Sequence, residues 1–81
     1  MVVEISGIMQ AANHVALYIQ ADGINIECDF DIDDWDITSD SLTIYDSKGS
    51  KFYFKGDFKE DDDEYTFAII NNDSKVYLLI S

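Results

Sequence analysis

The chain has no arginine and no proline, one cysteine and one histidine, and only five lysines among 81 residues. Each shortage excludes something. Without arginine there is no planar fork for a bidentate grip on phosphate or carboxylate, which argues against a nucleotide- or phosphate-binding role. The single cysteine, Cys28, rules out an intramolecular disulfide and a cysteine-rich metal site. The absence of proline leaves no Pro-rich linker. The start, Met-Val-Val-Glu-Ile-Ser, has neither a positive charge nor a long apolar run, so no secretory signal is expected. No stretch approaches the ~18 apolar residues of a membrane span. A cytoplasmic protein is expected. Asn72-Asp73-Ser74 fits a glycosylation sequon that has no meaning without secretion.

What the chain does have is acid. Seventeen Asp and Glu give a net charge of −12. The distribution is uneven: residues 1–47 hold ten acids and no lysine, whereas residues 48–81 hold seven acids and all five lysines. Such a field repels nucleic acid and anionic membranes and attracts cations or basic protein surfaces. The apolar content, 47% with 14% aromatic, is that of a folded chain and not a disordered one. One domain spanning 1–81 is expected, with a thin core, because a chain this small buries only about 60–65% of its unfolded surface.

Hydrophobicity alternates with period two along most of the chain, which is the signature of strands. Val15, Leu17 and Ile19 are followed by Asp22-Gly23 and then by Ile24, Ile26, Cys28, Phe30 and Ile32. A two-residue type I′ loop at Asp22-Gly23 would pair Ile19 with Ile26, Leu17 with Cys28 and Val15 with Phe30, all on one face. The other face then pairs Tyr18 with Glu27, Ala16 with Asp29 and His14 with Asp31. A second hairpin turns at Ser47-Lys48-Gly49 and sets Ile44 opposite Phe52, Leu42 opposite Phe54, and Tyr45 opposite Lys51. A third, from 65–70 to 75–80, sets Ile69 opposite Val76 and Phe67 opposite Leu78. Its second strand is apolar on both faces, which marks a central or doubly covered strand. Residues 2–12 are expected as a further strand broken at Gly7, with a short helical turn at 8–13 as the one exception. The predicted fold is all-β or nearly so: a small antiparallel barrel or rolled meander of six to seven short strands.

Several groups of residues carry candidate chemistry. Glu27, Asp29, Asp31 and Asp33 alternate on one strand, where residues two apart share a face at about 6.7 Å. They form a straight row of carboxylates, extended by Asp34, Asp36 and Asp40. Regular negative charge on a rigid strand imitates the phosphate ladder that DNA-binding proteins grip. The same residues also fit a solvated face that keeps an edge from aggregating, although uniform sign costs self-repulsion. A second group, Glu60, Asp61, Asp62, Asp63 and Glu64, reads as a solvated acidic loop. The stretch 29–40 puts Asp29, Asp31, Asp33 and Asp40 at the first, third, fifth and twelfth positions of a calcium loop. Asp34 stands where that loop needs glycine, so only weak divalent-cation binding is expected there. Trp35 and the outward Tyr18, Tyr45 and Tyr53 are candidate anchors for basic side chains, and Trp35 fits a core role equally well.

Catalytic material is scarce. One histidine, one cysteine predicted to point inward and no apolar pocket for a carboxylic acid leave no candidate catalytic residue. A binding protein is expected, without cofactor or resident metal. In type the chain resembles the small acidic proteins that phages and mobile elements direct against restriction or CRISPR effectors, and the acidic immunity proteins that neutralise basic toxins. That likeness rests on size and charge alone and transfers no residue. It implies an inhibitor acting in the cytoplasm (of the host cell, for a viral protein). Its partner would be a basic surface of a nucleic-acid-binding protein, held by Glu27, Asp29, Asp31, Asp33, Asp34 and Asp36 with Tyr18 and Trp35. The competing expectation is an assembly module whose β edges and doubly apolar C-terminal hairpin pair with copies of the same chain, as a homodimer, or with a larger complex.

Overall fold

In a computed structural model, which describes residues 2–60 and 64–81, the chain forms one helix and seven antiparallel strands. They are α1 (Val2–Gln10), β1 (His14–Ala21), β2 (Ile24–Ile37), β3 (Ser41–Asp46), β4 (Lys51–Lys55), β5 (Asp57–Glu60), β6 (Phe67–Ile70) and β7 (Ser74–Ile80). The strands make a single sheet in the order β4-β3-β2-β1-β7-β6-β5. It is a rolled meander and does not close into a barrel. Among the described residues, no helix is long and apolar enough to cross a membrane.

The registers of the β1–β2, β3–β4 and β6–β7 hairpins follow from their apolar alternation. β1 and β2 pair Ile19 with Ile26, Leu17 with Cys28 and Val15 with Phe30. β3 and β4 pair Ile44 with Phe52 and Leu42 with Phe54, and β6 and β7 pair Ile69 with Val76 and Phe67 with Leu78. Gly49, at φ 89°, closes the three-residue loop after Ser47 and Lys48. The carboxylate of Asp46 braces that loop by accepting from the amides of Lys48 (2.9 Å) and Ser50 (2.8 Å). The turn at Asp22-Gly23 differs from expectation. Only Gly23 has positive φ (78°), and Asp22 keeps an ordinary backbone. A type I′ turn needs positive φ at both positions, so glycine alone carries this reversal.

The doubly apolar strand β7 lies between β1 and β6, in the middle of the sheet. Val76 and Leu78 of β7 are buried in the core, whereas Leu79 on its other face stays 44% exposed.

Residues 2–12 are not a strand, and the helix is longer than a turn at 8–13. α1 buries Ile5 and Met9, each 1% exposed, in the same core as Val15, Leu42, Ile44, Phe67 and Leu78. The β-branched Val2, Val3 and Ile5 favour a strand locally, but propensity is a weak prior. Side chains four apart share one helical face, and burying two large ones is worth about 1.5–3 kcal/mol each. The helix ends in tighter turns, Ala11 N–H to Ile8 C=O (3.3 Å) and Ala12 N–H to Met9 C=O (3.1 Å), before β1 begins.

Two further features shape the roll. β2 is shared: β1 pairs with its residues 24–31, and β3 pairs from Ile32 onward. A bulge lies between Ile32 and Asp34. β4 and β5 are the two outermost strands, yet Gly56 alone connects them. The sheet must curl until its ends meet at that residue. Gly56 N–H donates to the carbonyl of Asp40 (2.9 Å), and the Asn71 side-chain amide donates to the carbonyl of Lys55 (2.8 Å).

Candidate functional site: the acidic face of β2

The bulge decides which way the acids point. Before it the even residues Cys28, Phe30 and Ile32 turn toward the core; after it the odd residues Trp35 and Ile37 do. A bulge sets two residues against one on the partner strand, so parity shifts there. Glu27, Asp29, Asp31, Asp33, Asp34 and Asp36 are all exposed as a result. A regular strand would have turned Asp34 and Asp36 inward and Trp35 out. The row is thus longer than four carboxylates and bent at Asp33. Among the described residues, no lysine lies within ion-pairing distance of any of the six; the ion pairs found on this face are those of His14.

His14 stands opposite Asp31 in the register and bridges two members of the row. Its Nδ1 lies 2.8 Å from Asp31 Oδ1 and its Nε2 3.3 Å from Asp29 Oδ2. Two carboxylate acceptors suit the doubly protonated ring, which has a donor at each nitrogen. The hydrogen bond with Asp31 foremost, then that with Asp29, raises the His14 pKa above its usual 6.5. Below that pKa the imidazolium cancels one charge in the middle of the row.

Beside the acids the outer face is aromatic. Glu27, Tyr18 and Tyr77 lie side by side across β2, β1 and β7. Tyr18, Tyr65 and Tyr77 form a mutual stack with centroids 5.3–6.5 Å apart. Gln20 donates to the Tyr18 hydroxyl (3.0 Å) and orients it. Tyr18, Tyr65, Leu79, Glu27, Asp29 and Glu64 border a shallow depression of about 400 Å³. An aromatic rim with carboxylates is the chemistry that receives an ammonium or guanidinium group.

The other candidates separate from this face. Trp35 is partly buried, packs against the core beside Ile44 and lies on the face opposite the acids. Tyr45 and the 56% exposed Tyr53 lie on β3 and β4, away from the tyrosine stack. In the second acidic group Glu60 ends β5 and Glu64 borders the depression, while Asp61, Asp62 and Asp63 lie outside the described residues. The calcium-loop reading of 29–40 fails on geometry, because Asp29 through Ile37 is extended strand and spreads its carboxylates instead of converging them. No cluster of three metal-ligating side chains occurs among the described residues. Cys28 is half-buried, and burial first, then the charge of Asp29, pushes its thiol pKa up. Tyr65 and Tyr77 escaped the sequence reading because their meeting with Tyr18 depends on strand order, which alternation does not specify. Comparison of the chain with protein-family models, curated proteins and solved structures finds no match.

Proposed function

We propose that the chain is an acidic binding protein that sets the outer face of β2 against a basic protein surface, such as the cationic groove of a nuclease or another nucleic-acid-binding protein, and blocks it. One observation carries this reading: six exposed carboxylates on a single strand with no lysine paired to any of them. Charge of one sign on a rigid strand, only partly offset by His14, steers a basic partner and displaces the polyanion that partner normally holds. The tyrosine-rimmed depression adds apolar contact area next to the charge, as binding anchors do. Roles in this reading are Glu27, Asp29, Asp31, Asp33, Asp34 and Asp36 for charge and Tyr18 for contact.

The test is affinity capture at low and moderate salt with the intact chain and with a variant carrying Glu27→Gln, Asp29→Asn, Asp31→Asn and Asp33→Asn. The expected result is a nucleic-acid-binding protein held by the native chain, released by added duplex DNA and lost by the variant. Equal capture of the same partner by both chains at both salt concentrations would overturn the reading.

A further inference from the structure

β2 is an interior strand over only part of its length. β3 joins it from Ile32 onward, so among the described residues nothing pairs with 24–31 on the side away from β1. The phase of the hydrogen bonds fixes which groups face that open side. His14 and Ser81 exchange both backbone bonds (3.1 and 3.0 Å), so the even residues of β1 bond β7 and the odd ones bond β2. On β2 it is then Ile24, Ile26, Cys28 and Phe30 that bond β1. Ile32 N–H donating to Asn13 C=O (2.8 Å) continues the same phase. The N–H and C=O groups of Asn25, Glu27 and Asp29 therefore point out of the sheet edge.

Those residues also carry the outer-face acids. The alternate residues Ile24 and Ile26 turn to the opposite face and stay 57% and 47% exposed. Backbone pairing, charge and apolar surface thus alternate in one register along the edge. A second copy of this chain is a poor occupant, because antiparallel pairing of two such edges sets acids against acids, and like charges directly opposite are destabilising.

Resting on the reading of this face as a partner-binding surface, we propose that the open edge of β2 takes up an extended segment of the partner as an added strand, one in which basic and apolar residues alternate. Its basic side chains lie opposite Glu27 and Asp29 on the outer face, and its apolar ones lie beside Ile24 and Ile26 on the other. The main chain supplies affinity and the alternation supplies selection, as in strand addition generally.

The experiment is amide hydrogen exchange by NMR on the intact ¹⁵N-labelled chain, with acetyl-Lys-Val-Lys-Val-Lys-Val-Lys-amide as probe. A block peptide of the same composition, with all lysines before all valines, is the control. The alternating peptide is expected to slow exchange at Asn25, Glu27 and Asp29 at least tenfold and to leave Ile24, Ile26 and Cys28, already bonded to β1, unchanged. The block peptide is expected to give no such protection. In a second chain, Glu27→Pro removes an N–H that the fold does not use, a change that an open edge tolerates. That variant is expected to fold and to lose the protection. Binding of both peptides alike without amide protection would overturn strand addition and leave charge-driven docking intact. Failure of the alternating peptide to bind at low salt would overturn it as well. Protection that survives in the proline variant would place the pairing elsewhere and refute the assignment.

Discussion

Replacing Gly56 with alanine tests the corner on which the rolled sheet turns. A Cβ at this position would lie 2.5 Å from the carbonyl oxygen of Ile70, 2.8 Å from its carbon and 3.2 Å from the amide nitrogen of Asn71. All three are backbone atoms and cannot swing aside as a flexible side chain does. Relief requires β4 and β5 to move away from the end of β6. That movement strains Gly56 N–H to Asp40 C=O and the Asn71 amide to Lys55 C=O. Overpacking costs about 1–3 kcal/mol and a lost hydrogen bond about 1. The lower entropy of the unfolded alanine chain returns about 0.4–1 kcal/mol. The net loss is about 1–4 kcal/mol, against a total stability of about 4–12 kcal/mol for a chain of this size. Thermal unfolding followed by circular dichroism should then show Tm falling by roughly 5–30 °C. Gly7→Ala is the matched control: Gly7 lies within α1 and its added Cβ meets nothing within 4 Å. There the same chemical change should raise stability by about 0.5–1 kcal/mol. A Gly56→Ala protein that melts within about 3 °C of the native chain would refute the close approach and with it the account of how the sheet ends meet.

Two further outcomes follow from the titrating groups. The His14 pKa is raised in the folded chain, so its contribution to stability is fully present below the unfolded value of about 6.5 and is lost as pH rises through the folded value. Tm of the native chain should exceed that of His14→Gln most at acid pH, the gap closing as pH rises through the folded His14 pKa; a gap that widens with pH would contradict the bridge. In an NMR titration Asp31→Asn should lower the His14 pKa more than Asp29→Asn does, in keeping with the shorter contact. Cys28, half-buried with its pKa pushed up, should react with an aromatic disulfide reagent at pH ~8 well below the rate of free cysteine and recover that rate in urea. A native rate equal to that of the free amino acid would mean the thiol is not sheltered.

The hairpins were legible in the sequence because each joins an alternating apolar pattern to a turn glycine or asparagine, and a slip of one residue would reverse every side chain. The same logic failed where the signal was short or non-local. In α1 the spacing of Ile5 and Met9 competes with β-branched neighbours, and only the surrounding core decides between them. β5 contains one apolar residue in four and is recognisable as a strand only beside β6. The parity shift at the bulge is written in Ile32-Asp33-Asp34-Trp35, where the inward position changes from even to odd. Reading that shift would have predicted an outward Asp34 and Asp36 and an inward Trp35. Neither the tyrosine depression nor the open edge could be read, since both depend on which strands lie next to which.

Stability measurements can separate a face retained for binding from one that holds the fold together. Unit charges about 6.7 Å apart repel by about 0.6 kcal/mol in bulk water, and the three neighbouring pairs among Glu27, Asp29, Asp31 and Asp33 by about 2 kcal/mol before screening. A Debye length near 8 Å at physiological salt removes more than half of that. His14 offsets part of the repulsion at acid pH through its bridge to Asp29 and Asp31. The comparison therefore belongs at low salt and at a pH above the raised His14 pKa, where the imidazole is neutral. Under those conditions the variant neutralised at all four positions should melt at or above the native temperature. Added salt should raise the native Tm and leave the variant nearly unchanged. A variant that melts several degrees lower at every salt concentration would mean that the carboxylates hold the strand in place, and the case for a face kept unpaired for a partner would fail. If the variant is the more stable chain, the row is a cost to folding, and a cost borne along one whole strand is the pattern a binding surface leaves.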